Sequence, residues 1–279
     1  MDLNKSNFAN ILYEVCEELD ISIESFSYYW AHRLKKGDKT RYIVGYQFPL
    51  NTSSVKEICQ DKVLTYGILN DSNVPAMTHI FLPNNIASTG LDREDHERLA
   101  EMMLNIYGCI VIKDNYGTGG NKVFKVTDME EFEKVLDTIY QSSYAASLSP
   151  YYDIENEYRV VMLKGEPELV IRKDRPFTLN EKGEKVYQNW KHNLGQGAIG
   201  VILPDEEIPD VVKELAVKAV SVLGAGFVSV DVVKVKDGYM VMEVNGGVMM
   251  EHLAGQSYDY YNRAKGVYRK AITAMFEEE

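Results

Sequence analysis

Apolar positions along the chain keep two periods, and the switches between them outline its elements. Phe8, Ile11, Leu12, Val15, Cys16 and Leu19 recur three and four apart and predict an amphipathic N-terminal helix. Residues 43–48 read as a strand, and residues 51–54 offer capping side chains for a helix that runs past Ile58. Asn73-Val74-Pro75 breaks the helical pattern ahead of a strand at 77–82. Residues 92–107 are helical in period, 109–113 form a short apolar strand, and 123–126 return beside it. Thr127 and Glu130 have capping-box spacing before a helix that carries Phe132, Val135, Leu136 and Ile139. Strands at 158–163 and 168–172 flank Lys164-Gly165 as a hairpin. Residues 175–200 are polar and keep no period, and such long irregular stretches in compact domains are often functional. A buried helix face runs from Val211 through Leu215 and Ala219 to Leu223, two β-forming runs fill 227–245, and a helix closes the chain over 260–276. No internal repeat or low-complexity tract interrupts this order.

Composition narrows the picture. At 279 residues the chain suits one large domain or two small ones, with a core that needs neither disulfides nor a structural metal. Hydrophobic residues at 45% and charged residues at 26% exclude a disordered chain. Thirty basic against 42 acidic residues leave a net charge of −12, which argues against nonspecific nucleic-acid binding but permits a local basic pocket. Cys16, Cys59 and Cys109 form no C-x-x-C pair, which argues against a zinc site or a disulfide framework and fits a reducing compartment. The polar N-terminus does not read as a signal peptide, and no apolar run approaches the roughly 18–20 residues of a membrane span. The expectation is a soluble, cytoplasmic protein with neither nucleic acid nor membrane as partner.

The most informative segment is 227–245. Two β runs meet at Lys236-Asp237-Gly238, which predicts a three-residue hairpin loop with Gly238 at positive φ. That register sets Asp231 opposite Glu243 and Ser229 opposite Asn245, all on one face. Facing carboxylates on apolar strands repel and are desolvated, and a cation between them is the simplest remedy. With the Asn245 amide oxygen the donor set suits a hard ion such as Mg²⁺; a solvated sheet face with two stray acids is the alternative. Earlier in the chain Lys113 ends a buried strand and precedes Gly117-Thr118-Gly119-Gly120. Small residues let backbone N–H groups approach an anion and the lysine adds a point charge, although a plain hairpin turn reads equally well from these residues alone. The order is neither that of a P-loop nor G-x-G-x-x-G. His32, His79 and His96 have no ligand-like spacing and are expected to be structural or exposed, while His192 and His252 stay open.

Taken in order, these motifs resemble the ATP-grasp superfamily, which includes D-alanine–D-alanine ligase, glutathione synthetase, cyanophycin synthetase and the ribosomal-protein glutamate ligase. The resemblance covers roughly residues 60–255. Asp61-Lys62, Leu69 and Val74-Pro75 look like the family's entry to the nucleotide region, and Lys113 with Gly117-Thr118 and Val123 is similar to its lid loop. Residues 150–154 followed by Glu157-Tyr158-Arg159 resemble the hinge strand and the signature behind it. Lys122 stands where the lid pattern often ends in Gly, and the proline often found after the metal motif is missing.

The resemblance implies an α+β ATP-grasp fold whose two subdomains clasp ATP behind a short N-terminal α/β segment. Residues 1–60 would form that segment and 61–279 the ATP-grasp domain, with a lid subdomain at about 85–147 and a C-terminal lobe at about 148–279. Lys62, Lys113, Gly117, Thr118, Gly119 and Gly120 would hold the ATP phosphates. Backbone groups at Tyr152 and Asp153 would read the adenine, Met242 would pack beneath it, and Glu157 would accept from the ribose. Asp231, Glu243 and Asn245 would bind Mg²⁺, with Mn²⁺ as a substitute. Arg159, Arg172 and Asn193 would face the reacting phosphate. The implied activity joins a small-molecule or peptide carboxylate to an amine through an acyl phosphate, releasing ADP and phosphate. A kinase on the same scaffold and a non-catalytic nucleotide-binding protein are the alternatives. Substrate identity and oligomeric state, including a homodimer, stay open.

Overall fold

Ser6 accepts a hydrogen bond from the Ala9 amide and starts α1 (Asn7–Glu18), whose Phe8, Ile11, Leu12, Val15 and Cys16 are buried as their spacing predicts. This is a computed structural model, and it describes residues 5–84, 90, 92–180, 182, 185–187 and 189–277. Beyond α1 the sequence pattern and the fold part company. Residues 22–44 form an antiparallel meander of β1 (Ser22–Phe26), β2 (Ala31–Lys36) and β3 (Lys39–Val44). Its buried side chains are His32, Leu34 and Ile43, too few to mark a strand by apolar content. The apolar run at 43–48 is strand only as far as Val44, because Gly45 turns the chain with φ +55°.

Thr52 caps α2 (Ser53–Gln60), and Asp61 ends that helix and caps α3 (Lys62–Asp71), so Lys62 opens a helix. The next strand, β4 (Ile80–Pro83), starts later than expected because residues 75–77 pair elsewhere: the Met77 amide donates to Val241 and the Val241 amide to Pro75. A smaller layer follows, with α4 (Arg93–Tyr107), β5 (Ile110–Asp114), β6 (Val123–Val126), α5 (Met129–Tyr140) and β7 (Ala145–Pro150). Its antiparallel sheet, in the order β4-β7-β5-β6, packs Leu82, Ile110, Ile112 and Leu148 against Ala100, Phe132 and Leu136 of the two helices. The cap of α5 is Asp128, one residue past the expected Thr127; the Thr127 amide donates to the Glu131 carboxylate instead.

The larger layer begins with β8 (Asn156–Leu163) and β9 (Glu166–Asp174), joined by Lys164 and Gly165 in left-handed conformations as the hairpin reading requires. The aperiodic stretch contains a short pair, β10 (Phe177–Leu179) and β11 (Lys185–Tyr187), before β12 (Ile199–Ile202), α6 (Asp210–Leu223), β13 (Phe227–Val235) and β14 (Gly238–Asn245). The antiparallel order is β12-β9-β8-β13-β14. One face buries Val160, Val228, Val230 and Val232 against α6 and α2. The other carries Val161, Ile171 and Phe227 at one end, against α1, α7 (Glu251–Ala254) and α8 (Tyr258–Glu277), and turns polar toward the other end. Glu251 fastens α1 to this lobe by accepting from the Asn7 and Phe8 amides, each at 2.8 Å. Helices and antiparallel sheets thus stand in separate layers, the α+β arrangement expected.

Candidate functional site

The polar end of the second sheet face is built by strand alternation. On β8 it carries Glu157 and Arg159, on β9 Lys173, on β13 Ser229 and Asp231, and on β14 Glu243 and Asn245. Asp231 pairs with Glu243 and Ser229 with Asn245, as read from the sequence, but by a different route. The turn is tighter, with Val235 opposite Gly238, and a bulge at Met242 restores the register one residue before Glu243. The extra residue pushes Met242 into an apolar cluster with Met77, Tyr152, Ile154, Val233, Val235 and Met240.

The two carboxylates find cations in the protein itself. Arg159 donates from Nε and Nη2 to the two oxygens of Asp231, each at 2.8 Å, and Lys173 Nζ lies 3.0 Å from Oδ2. The same lysine donates to Glu157. Burial works against the Asp231 charge, yet Arg159 and Lys173 outweigh it and hold the carboxyl below the usual carboxylate range. For Arg159 burial likewise opposes the charge, and Asp231, Glu157 and Glu243 override it. Glu243 is looser, with Lys62 Nζ at 3.5 Å.

Across the cleft, Lys62 and Lys113 come together beneath the glycine loop. Lys62 Nζ donates to the carbonyls of Asn115 at 3.2 Å and Gly117 at 2.6 Å. The Lys113 ammonium has no hydrogen bond or ion pair among the described residues. Burial, reinforced by Lys62, pushes its pKa down to about 8 although Glu243 and Glu157 favour the charge. Gly119 and Gly120 both take φ +69°, and Lys122, where the family pattern often has Gly, is also left-handed at +49°. A Cβ on Gly120 would lie 2.9 Å from Asn193 Nδ2. Lys191 Nζ donates to the Gly120 carbonyl at 3.0 Å, and Gln196 Nε2 donates to Gly119 and Gly120 at 3.3 and 3.2 Å. The loop is therefore held from both sides of the cleft, and Thr118 at its tip is exposed.

Tyr152 and Asp153 lie between the two layers. The Tyr152 hydroxyl reaches Thr78, and Asp153 is exposed. Asn193 accepts from the Gly195 amide at 2.8 Å and faces the loop. Arg172 stands apart. It pairs with Tyr158 on the opposite face of the sheet and binds Asp174 at 2.7 and 2.9 Å, so its neighbour Lys173 is the side chain that enters the site. Simple alternation through the two-residue Lys164-Gly165 turn would put Arg172 on the site face; an irregularity in the pairing, where Met162 faces Pro167 but Val161 faces Leu169, shifts the register and brings Lys173 there instead. All of His32, His79, His96 and His192 are buried, and none is exposed. His79 is the least expected: it lines a small cavity with Lys62, Thr65, Tyr66 and Glu243, and neither ring nitrogen has a partner. Burial, with Lys113 and Lys62 nearby, drives its pKa well below the usual value.

Whether a divalent cation suits this face depends on which oxygens are free. Asp231, Glu243 and Asn245 offer only hard oxygens, the chemistry Mg²⁺ prefers. Glu243 is partly exposed, and Asn245 uses its Nδ2 toward Asp231 at 3.5 Å, which leaves its oxygen available. Asp231 is more heavily engaged, with Arg159 on both oxygens and Lys173 on Oδ2. The described residues contain no group of three His, Cys, Asp or Glu side chains arranged for a metal.

Comparison with known proteins identifies the fold and the family. Residues 59–259 match the RimK-like ATP-grasp domain. An alpha-aminoadipate–LysW ligase of Saccharolobus solfataricus is 28% identical over 210 residues, covering 73% of this chain and 66% of the relative. A tetrahydromethanopterin:alpha-L-glutamate ligase of Methanocaldococcus jannaschii is 23% identical over 223 residues, 75% of this chain and 65% of the relative. The chain thus spans just under two thirds of the length of these relatives. The ATP complex of D-alanine–D-alanine ligase from Bacillus anthracis shares the fold with a TM-score of 0.59 at 18% identity, over 82% of this chain and 72% of that one. With the matched domain covering most of its length, the chain belongs to the RimK-like ATP-grasp family.

Proposed function

We propose that the protein is an ATP-dependent carboxylate–amine ligase that forms an amide-type bond through an acyl phosphate. The observation that carries this reading is Lys113, a cation with no partner among the described residues and a pKa lowered to about 8, beside Lys62 and beneath a glycine loop. Two ammonium groups share this site with only Glu243 in ion-pair range of one of them, and a polyphosphate would supply the missing negative charge. The names of the relatives support the reaction class, since both are ligases.

Lys62, Lys113 and the loop from Gly117 through Thr118 and Gly119 to Gly120 bind the phosphates and exclude water. Tyr152, Asp153 and Met242 receive the base. Glu157, already held by Lys173, is the carboxylate for the ribose. Glu243 and Asn245, with Asp231 beside them, would hold Mg²⁺ through hard oxygens. When bound, the ion screens phosphate charge. Arg159 and Asn193 orient the phosphoryl group as the substrate carboxylate attacks, and an amine then displaces phosphate. Arg172, bound to Asp174 on the far face of its strand, has no part in this group. The substrates are a small-molecule or peptide carboxylate and an amine. Among the described residues no helix is long and apolar enough to cross a membrane.

The test is Glu243→Gln with MgATP and pools of amino acids and small carboxylic acids. Wild-type protein should release ADP and phosphate and yield a new amide mass, and the variant should lose nearly all turnover with its circular dichroism unchanged. A stable phosphoester product, or full turnover by the variant, would overturn the assignment.

A further inference from the structure

Asn115 is fully buried, and every polar group it has is used. Its amide donates to Ala145 at 3.1 Å, and its carbonyl accepts from the Lys62 amide at 3.4 Å and from Lys62 Nζ at 3.2 Å. Its side-chain oxygen accepts from the Val63 amide at 3.2 Å, and its Nδ2 donates to Asp61 Oδ1 at 2.8 Å. Asp61 Oδ1 also accepts from the Leu64 amide at 2.9 Å and so caps α3, while Oδ2 accepts from the Tyr116 hydroxyl at 3.3 Å. The root of the glycine loop is thereby stapled to the helix whose first residue is Lys62.

We propose that Asn115 is a positioning residue that couples the glycine loop to the Lys62 ammonium through Asp61. The inference rests on the nucleotide-binding reading above. A lysine has four rotatable side-chain bonds, and an ammonium left to its own rotamers would reach a phosphate only part of the time. Here Nζ is confined by two carbonyls of the loop, at Asn115 and Gly117, and by Glu243. Because two of these three acceptors belong to the loop, any displacement of the loop root displaces the ammonium. Asn115 meets the needs of this joint because its amide donates to a carboxylate and accepts from a backbone N–H at once. An aspartate there would face Asp61 with like charge and no donor.

The experiment is equilibrium titration with a non-hydrolysable ATP analogue and Mg²⁺, which needs no knowledge of the other substrates. Asn115→Asp should weaken binding about tenfold, the scale of one lost charge-assisted hydrogen bond. The reversed pair Asp61→Asn with Asn115→Asp restores a donor facing a carboxylate and should recover most of the affinity. In a Lys62→Met background, Asn115→Asp should add little, because the residue acts through that lysine. An undiminished loss in the Lys62→Met background, or no loss in the single variant, overturns the proposal. If Asn115→Asp does not fold, Tyr116→Phe carries the same cycle at about twofold amplitude, and additivity with Lys62→Met there is equally fatal. Failure of the wild-type protein to bind the analogue would instead overturn the nucleotide reading itself.

Discussion

Two clusters of charge face each other across the cleft, and they are built on opposite principles. On the large sheet, Glu157, Lys173, Asp231 and Arg159 satisfy one another: each charge is met by an opposite one, and Asp231 accepts from both cations. Under the glycine loop, Lys113 has no counter-ion among the described residues and Lys62 leans on carbonyls and a carboxylate 3.5 Å away. The first cluster is complete without a ligand, so the side chains it offers to the site are held in place by the protein itself. The second is short of negative charge, and a ligand must complete it. Buried charge alone would not have told them apart; the pairing does.

The largest effect that could break this contrast lies in the complete cluster. Asp231→Ala would leave Arg159 and Lys173 facing each other with one carboxylate fewer, and the loss of a buried partner typically costs about 3–5 kcal/mol. Urea denaturation measures it, and a loss below about 1 kcal/mol would mean the network does not hold itself in place. Lys113→Met should do the reverse. It removes a half-buried cation that no carboxylate holds within ion-pair distance, so stability should hold or rise, while affinity for an ATP analogue falls on the order of 10–100-fold.

A smaller and sharper test uses pH. Phosphate binding favours charged Lys113 and so raises its pKa above the free value of about 8. Analogue affinity should therefore be full below pH 8 and decline as pH rises through it, and Lys113→Arg should flatten the profile. The smallest effect concerns His79, which is buried neutral with Lys62 and Lys113 nearby. Its folded pKa is lowered, so its share of stability is intact above the unfolded value of about 6.5 and is lost as pH falls below it. His79→Leu should remove that acid slope and change neutral-pH stability by no more than about 1 kcal/mol, read from thermal melts at pH 5 and 7.5.

Much of this was legible in the chain. Period-3.6 runs located α1, α4, α5 and α6 because each buries one continuous stripe. Asp231 does face Glu243 as the hairpin reading expected, but only because the bulge at Met242 offsets a turn one residue shorter than the expected loop. The meander over residues 22–44 escaped because three buried side chains carry no pattern.

The sequence by itself determined the order of the elements, the ATP-grasp motifs and which residue types could reach a phosphate or a metal. These depend on local period and spacing, which a linear chain records. The tertiary structure alone decided how the charges are partnered. Arg172 and Lys173 are neighbours in sequence, and only the sheet's register sends one to Asp174 on the far face and the other to Glu157 and Asp231. Asn115 and Asp61 are 54 residues apart, and nothing local predicts that a loop and a helix start should share a carboxylate. Electrostatic pairing falls off steeply with distance in space and is blind to distance along the chain, so the charge of −12 became readable only once the fold had paired its members.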